Sequence, residues 1–196
     1  MSDTDVFIVS ALRSAIALGK ESGALYPLAP VDLASKVMAE TIRRAGIDPK
    51  RLDDVIWGVV TPIGDQGANL ARLATLNANF PVHVPAISIN RMCGSSQQAV
   101  HFASQAILAG DADLVLAGGT EMMSHQMLGA DYPDEFPKSI PHDLVHQGIS
   151  AEMMAEKWNL TREEQDDFAF RSHEKAASAM DAGYFGGQIL PLTIPE

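Results

Sequence analysis

The stretch "VPAISINRMCGSSQQAVHFASQAILAGDADLVLAGGTE", Val84 to Glu121, decides the fold. It opens with a short β-rich run, Val84 to Asn90, which feeds straight into Cys93. From Gly94 to Ala109 the pattern is helical, and Gly110 supplies a stop. A second β-rich run, Ala112 to Glu121, follows and ends in paired glycines. Strand, helix and strand in that order predict a βαβ unit with parallel strands.

Upstream the same alternation continues. Val6 to Val9 reads as a short buried first strand, and the Gly- and Pro-punctuated segment Arg13 to Pro30 as a loop. Val31 to Ala45 places Leu33, Val37 and Ile42 near one helix face, carries basic residues in its last turn and stops at Gly46. Asp53 to Val60 predicts a second strand, and Gln66 to Phe80 a helix that frays near Asn77. Downstream, Met122 to Gln147 has no clear period and reads as an extended excursion. Two helices follow. The second opens with Thr161 and Glu164, the spacing of a capping box, and runs to about Ala182 before Gly183. Gln188 to Glu196 predicts a last strand, with the chain ending just after it.

Composition sets the outer bounds. A chain of 196 residues, 46% hydrophobic and 20% charged, fits one well-packed globular domain or one domain plus an appendage. A formal charge of -11 argues against nucleic acid as a partner. The single cysteine rules out an intrachain disulfide and fits a reducing compartment. No apolar run approaches the roughly 20 residues of a membrane span. The start "MSDTDVFIVS" lacks a basic leader region and is expected to enter the fold directly. The expected location is the cytoplasm, away from membranes.

Cys93 carries the chemistry, and two readings of it stand. It is either a small packed residue at a turn or a nucleophile. A nucleophile between a strand end and a helix start faces the free N–H groups of the first turn and the positive end of the helix dipole. Those N–H groups can also hold an oxyanion. A base for it is harder to find. His101 lies about 12 Å farther along the helix axis. His83 lies at the far end of the preceding strand, roughly 20 Å away or more. His125, His142 and His146 fall in the excursion, and His173 sits mid-helix. His142 and His146, with Asp143, have a spacing known from zinc sites, but the flanking Pro141 and Gly148 argue against a helix there. No metal is expected.

"INRMCGSSQQAVHFASQAILAGDADLVLAGGTEMMS" resembles the nucleophile segment of the thiolases, with Asn-x-x-Cys-Gly-Ser before a helix and a strand ending Gly-Gly-x-Glu. "RAGIDPKRLDDVIWGVV" is similar to the thiolase helix and strand upstream of the active site. "GISAEMMAEKWNLTREEQDDFAFRSHEKAASA" is similar to the loop-domain helices that cover coenzyme A. "NRMCGSS" leans toward the degradative 3-ketoacyl-CoA type. The first loop departs from the family, with Arg13-Ser14-Ala15 where Arg-Thr-Pro is common.

The resemblance implies an N-terminal α/β domain over 1–121, a partial loop domain over 122–196 and no C-terminal thiolase domain. It implies acyl transfer through an S-acyl Cys93, thiolysis of 3-ketoacyl-CoA or the reverse Claisen condensation, with the Cys93 N–H as one oxyanion donor. It places His146 and Gln147 against the pantetheine portion of coenzyme A. No permanently bound cofactor is implied; coenzyme A thioesters are substrates. Partners implied are acyl-CoA, coenzyme A, and either further copies in a dimer or tetramer or a complementary C-terminal polypeptide. The family's Gly-His-Pro, second cysteine and Asn-Glu-Ala-Phe do not occur here. The chain alone is therefore expected to be inactive. The alternatives are one subunit of a split thiolase and a non-catalytic module that binds acyl-CoA or a partner.

Overall fold

The computed structural model describes residues 5–194. In chain order the elements are β1 (Arg13–Ser14), α1 (Pro30–Ala45), β2 (Asp54–Gly58), α2 (Leu70–Asn77), β3 (Ala86–Ile89), α3 (Ser95–Ala109), β4 (Val115–Gly119), α4 (Gln147–Trp158), α5 (Arg162–Asp181) and β5 (Ile189–Leu190). Two parallel sheets result: a three-stranded one in the order β3-β2-β4 and a two-stranded one that joins β1 to β5. The expected α/β class with parallel strands is what forms.

Strand β2 shows why this sequence makes layers. Side chains alternate across a sheet, so Val55 and Trp57, with Val59 just beyond, enter one cluster with Met38 and Ile42 of α1 and Leu70 and Ala74 of α2. Ile56 faces the other way, against Ala99 and Ala103 of α3. Helices thus cover both faces of a parallel sheet, which keeps its apolar strands from water. Burying a side chain such as Met38, fully inaccessible here, is worth about 1.5–3 kcal/mol.

Helix ends follow local chemistry. Gly46 and Gly110 both take the left-handed conformation, at φ 67° and φ 80°, and return their N–H groups to the preceding turn. Helix α2 starts later than its apolar pattern suggests. Ala68 and Asn69 are left-handed, at φ 50° and φ 56°, and the Asn69 side chain instead brackets β3, donating to Ala86 O and accepting from Ser88 N.

One expected strand is not formed. Phe7, Ile8 and Val9 are exposed and join no ladder. A strand requires a hydrogen-bonded neighbour, and none pairs with this segment among the described residues. It lines a cavity of about 830 Å³, which the outer edge of β4 also lines through Val115 to Gly119. The final strand is shorter than its apolar run, and Arg13 and Ser14 pair with Ile189 and Leu190; Pro195 and Glu196 lie outside the described residues.

Contacts divide the chain into two units, Met1–Asp131 with Gln188–Glu196, and Tyr132–Gly187. The second holds α4 and α5. Its most legible feature is the start of α5, where Thr161 and Glu164 form the reciprocal capping box. No helix among the described residues is long and apolar enough to cross a membrane.

Candidate active site

Parallel strands end together, so β2, β3 and β4 present their C-terminal ends along one rim of the sheet, the usual place for ligands in such folds. Cys93 stands at that rim, after β3 and just before α3. Three contacts shape the turn that holds it. Asn90 Oδ1 accepts from Met92 N at 2.8 Å, Ser95 Oγ accepts from Arg91 N at 2.9 Å, and the same hydroxyl donates to Met92 O at 2.5 Å. Met92 between them is left-handed at φ 48°, a conformation that costs a non-glycine residue about 1 kcal/mol or more. Its neighbours hold it there.

The helix that follows is seated directly on the sheet by two glycines. A methyl group on Gly58 would lie 2.5 Å from Ser96 N and 2.6 Å from Ser95 C; one on Gly119 would lie 2.8 Å from Ser96 Cβ. Gly58 and Gly119 are neighbours across β2 and β4. Gly118 has the opposite duty, since a methyl there would strike the Trp57 ring at 2.5 Å. The paired glycines are sorted by the pleat, one making room for a helix and the other for an indole. Their sequence signal was visible, but only the register gives it meaning.

Cys93 is exposed, so the packed reading of this residue does not hold. Its Sγ makes no hydrogen bond among the described residues. The large cavity beside β4 is not lined by Cys93, and its apolar walls carry no bearing on the thiol.

Sequence reasoning missed the carboxylate that ties the rim together. Glu121 Oε2 accepts from Val60 N at 2.8 Å and Thr61 N at 3.3 Å, while its Oε1 accepts from Gln66 Nε2 at 3.1 Å. Gln66 is wholly buried. It also donates to Thr61 O and accepts from Met122 N. The ends of β2 and β4 are therefore joined by side chains as well as by the ladder. The only advance signal was an acidic residue two positions after the paired glycines, with Thr120 between.

The histidines are distributed. His101 is exposed on α3 and His173 exposed on α5. His83 Nε2 lies 3.3 Å from Lys50 O. His125 is engaged at both ring nitrogens, with Nδ1 at 2.6 Å from Asp65 Oδ2 and Nε2 at 2.8 Å from Tyr26 O. Both partners only accept, so the ring is set to donate twice, as the imidazolium. Burial disfavours that charge, yet the Asp65 hydrogen bond, the Tyr26 carbonyl and the Asp65 charge outweigh it and raise the His125 pKa. Burial likewise works against the Asp65 carboxylate, and the hydrogen bonds from Gln126 and His125 overcome it and lower its pKa.

In the second unit His146 is the N-cap of α4, with Nδ1 accepting from Gly148 N at 3.1 Å, and Gln147 is the first helical residue. Both are exposed. With Nδ1 accepting, the neutral ring carries its proton on Nε2. Among the described residues, His, Cys, Asp and Glu side chains do not gather in threes that could hold a metal ion.

The comparisons with known proteins agree with one another. The family model "Thiolase, N-terminal domain" matches residues 6–196. A steroid 3-ketoacyl-CoA thiolase of Mycobacterium tuberculosis is 40% identical over 95% of this chain and 49% of its own length. A 3-ketoacyl-CoA thiolase of Serratia proteamaculans is 40% identical over 96% of this chain and 49% of its own. Among solved structures, the Bacillus anthracis acetyl-CoA acetyltransferase superposes with a TM-score of 0.82 at 36% identity, over 96% of this chain and 51% of that one. The chain spans about half the length of the curated relatives it matches.

Proposed function

Because this chain belongs to the thiolase family through its N-terminal domain, we propose that it supplies the nucleophilic half of a thiolase-type acyltransferase. Cys93 attacks the ketone of a 3-ketoacyl-CoA, the C–C bond breaks to release acetyl-CoA, and coenzyme A takes the acyl group from sulfur; reversal is a Claisen condensation. The observation that carries this reading is the exposure of Cys93 at the strand rim, at the mouth of α3. There the helix dipole favours an attacking anion, and the Cys93 N–H serves as an oxyanion donor. His146 and Gln147 contact the pantetheine arm, the Nε2–H of His146 donating to it. Coenzyme A thioesters are the substrates, and no group is bound permanently.

Proton transfer belongs to other residues. The sequence contains one cysteine and no Gly-His-Pro, and no described histidine is hydrogen-bonded to Cys93. The chain therefore takes up or releases acyl groups slowly by itself and turns over only with a polypeptide that brings a base and a second thiol. Assembly with such a polypeptide follows from that need; further copies in a dimer or tetramer are the other partners proposed. The setting is the cytoplasm, and the coenzyme A-covering segment of the sequence comprises 122–196, a span wider than the contact unit Tyr132–Gly187.

The test is acyl labelling. The purified chain, with and without a polypeptide carrying the Gly-His-Pro half, is incubated with acetoacetyl-CoA and examined by mass spectrometry. A thioester on Cys93, lost in Cys93→Ser and strongly accelerated by the second polypeptide, is the expected result. Absence of label under both conditions sinks the nucleophile assignment and leaves a binding module. Rapid turnover by the chain alone refutes the missing base.

A further inference from the structure

Glu121 sits at the end of β4, and Cys93 follows β3, with β2 between them. Three hydrogen bonds, linked through Val60 and the Asn90 amide, nevertheless run from Glu121 to Met92, the residue before Cys93. The Glu121 carboxylate holds Val60 N, and Asn90 Nδ2 donates to Val60 O at 2.8 Å. The other end of the same amide, Asn90 Oδ1, accepts from Met92 N. Met92 immediately precedes Cys93 and is held in the left-handed region. We propose that Glu121 is a positioning residue for Cys93, acting through Val60 and Asn90 to hold the turn that presents the thiol.

This deepens the acyl-transfer reading and rests on it for its functional meaning. The physical case is one of acceptor counting. The residues after β2 have left the ladder, so Val60 and Thr61 offer N–H groups with no strand opposite. One carboxylate satisfies both and also takes Gln66 Nε2, filling both of its oxygens. Glutamine is nearly the same size but cannot do this. Turned to accept from Val60 and Thr61, its NH2 faces the NH2 of Gln66. Gln66 cannot rotate to receive it, since its own oxygen is required by Met122 N. To escape that clash the glutamine flips its oxygen to Gln66 and turns its NH2 on the N–H groups of Val60 and Thr61; Glu121→Gln therefore frees Val60, and the carbonyl of Val60 is the anchor of Asn90. The anchor matters because Met92 stores strain: once Asn90 drifts, its turn relaxes toward ordinary backbone and Cys93 leaves its orientation.

The experiment uses the purified 196-residue chain, in which Cys93 is the only thiol. Its alkylation by iodoacetamide is followed by mass spectrometry across a pH series, well below the unfolding temperature, with folding checked by near-ultraviolet circular dichroism. Glu121→Gln is expected to lower the rate by about three- to tenfold, the size of one lost orienting hydrogen bond. Asn90→Ala, an exposed position that leaves Glu121 intact, is expected to give the same fall. The double variant Glu121→Gln/Asn90→Ala is expected to react no slower than either single one, because both cut the same series.

Asp53→Asn is the control. Asp53 Oδ2 accepts from Asp113 N and Leu114 N at the opposite end of β4, so its loss weakens the fold without touching the rim. Its alkylation rate is expected to stay near that of the parent. A folded Glu121→Gln or Asn90→Ala reacting at the parent rate overturns the proposal, as does a double variant whose loss is the product of the two singles. Should Glu121→Gln fail to fold, Asn90→Ala decides alone. Normal alkylation of the parent together with no acyl label from acetoacetyl-CoA refutes the acyl-transfer reading and leaves the positioning role standing.

Discussion

At the scale of single residues, the site depends on where side chains are missing as much as on where they are present. Gly58→Ala places a methyl group against the backbone of Ser95 and Ser96, which cannot move without lifting the start of α3. We expect a loss of about 1–3 kcal/mol from this overpacking, read as a lower urea midpoint, and slower alkylation of Cys93 in the protein that remains folded. His125 makes the second residue-scale prediction. Its pKa is raised from 6.5, so its contribution to stability is complete below that value and is lost as pH climbs through the higher folded-state value. Asp65 is lowered from 3.8, so its share is present above that value and lost on acidification. Both are partly exposed, which limits the pair to about 1 kcal/mol or less. His125→Asn should flatten the decline in Tm as pH rises above 6.5; an unchanged decline would show that some other group titrates there.

Among elements, legibility in the sequence tracked how local the cause was. Helix α1 and helix α3 could be bounded because Gly46 and Gly110 act within one turn of the residues they cap. The capping box of α5 is likewise contained in Thr161 to Glu164. Cys93 was legible as a rim residue because strand and helix are adjacent in the chain. What could not be read depends on neighbours far away. Val6 to Val9 has the composition of a strand but needs a ladder partner, and the Asp65–His125–Tyr26 cluster requires three loops to meet. The Glu121 series joins positions 60, 90 and 121 through a register that sequence does not print. Strand β4 yields a prediction from that register. Thr120 N donates inward to Gly58 O, so by parallel alternation the N–H groups of Leu116 and Gly118 also point toward β2, and those of Val115, Ala117 and Gly119 point away. Hydrogen–deuterium exchange should find the first set protected and the second fast; equal protection of both would mean that the outer edge is covered in solution.

For the whole molecule, the described surface carries more apolar area than helices facing water need. Val100, Phe102 and Leu108 of α3 are exposed, as are Phe168, Phe170 and Met180 of α5, and such faces mark surfaces that associate. The outer edge of β4 is different in kind, because no strand pairs with it among the described residues, and its backbone groups ask for a strand rather than for an apolar partner. The cavity beside it, with Val6 to Val9 along another wall, gives an incoming strand somewhere to lie. Val115, Ala117 and Gly119 thus carry three amide protons that act as a built-in gauge: a polypeptide that completes the sheet silences their exchange, and one that merely sticks to the helices leaves them ticking.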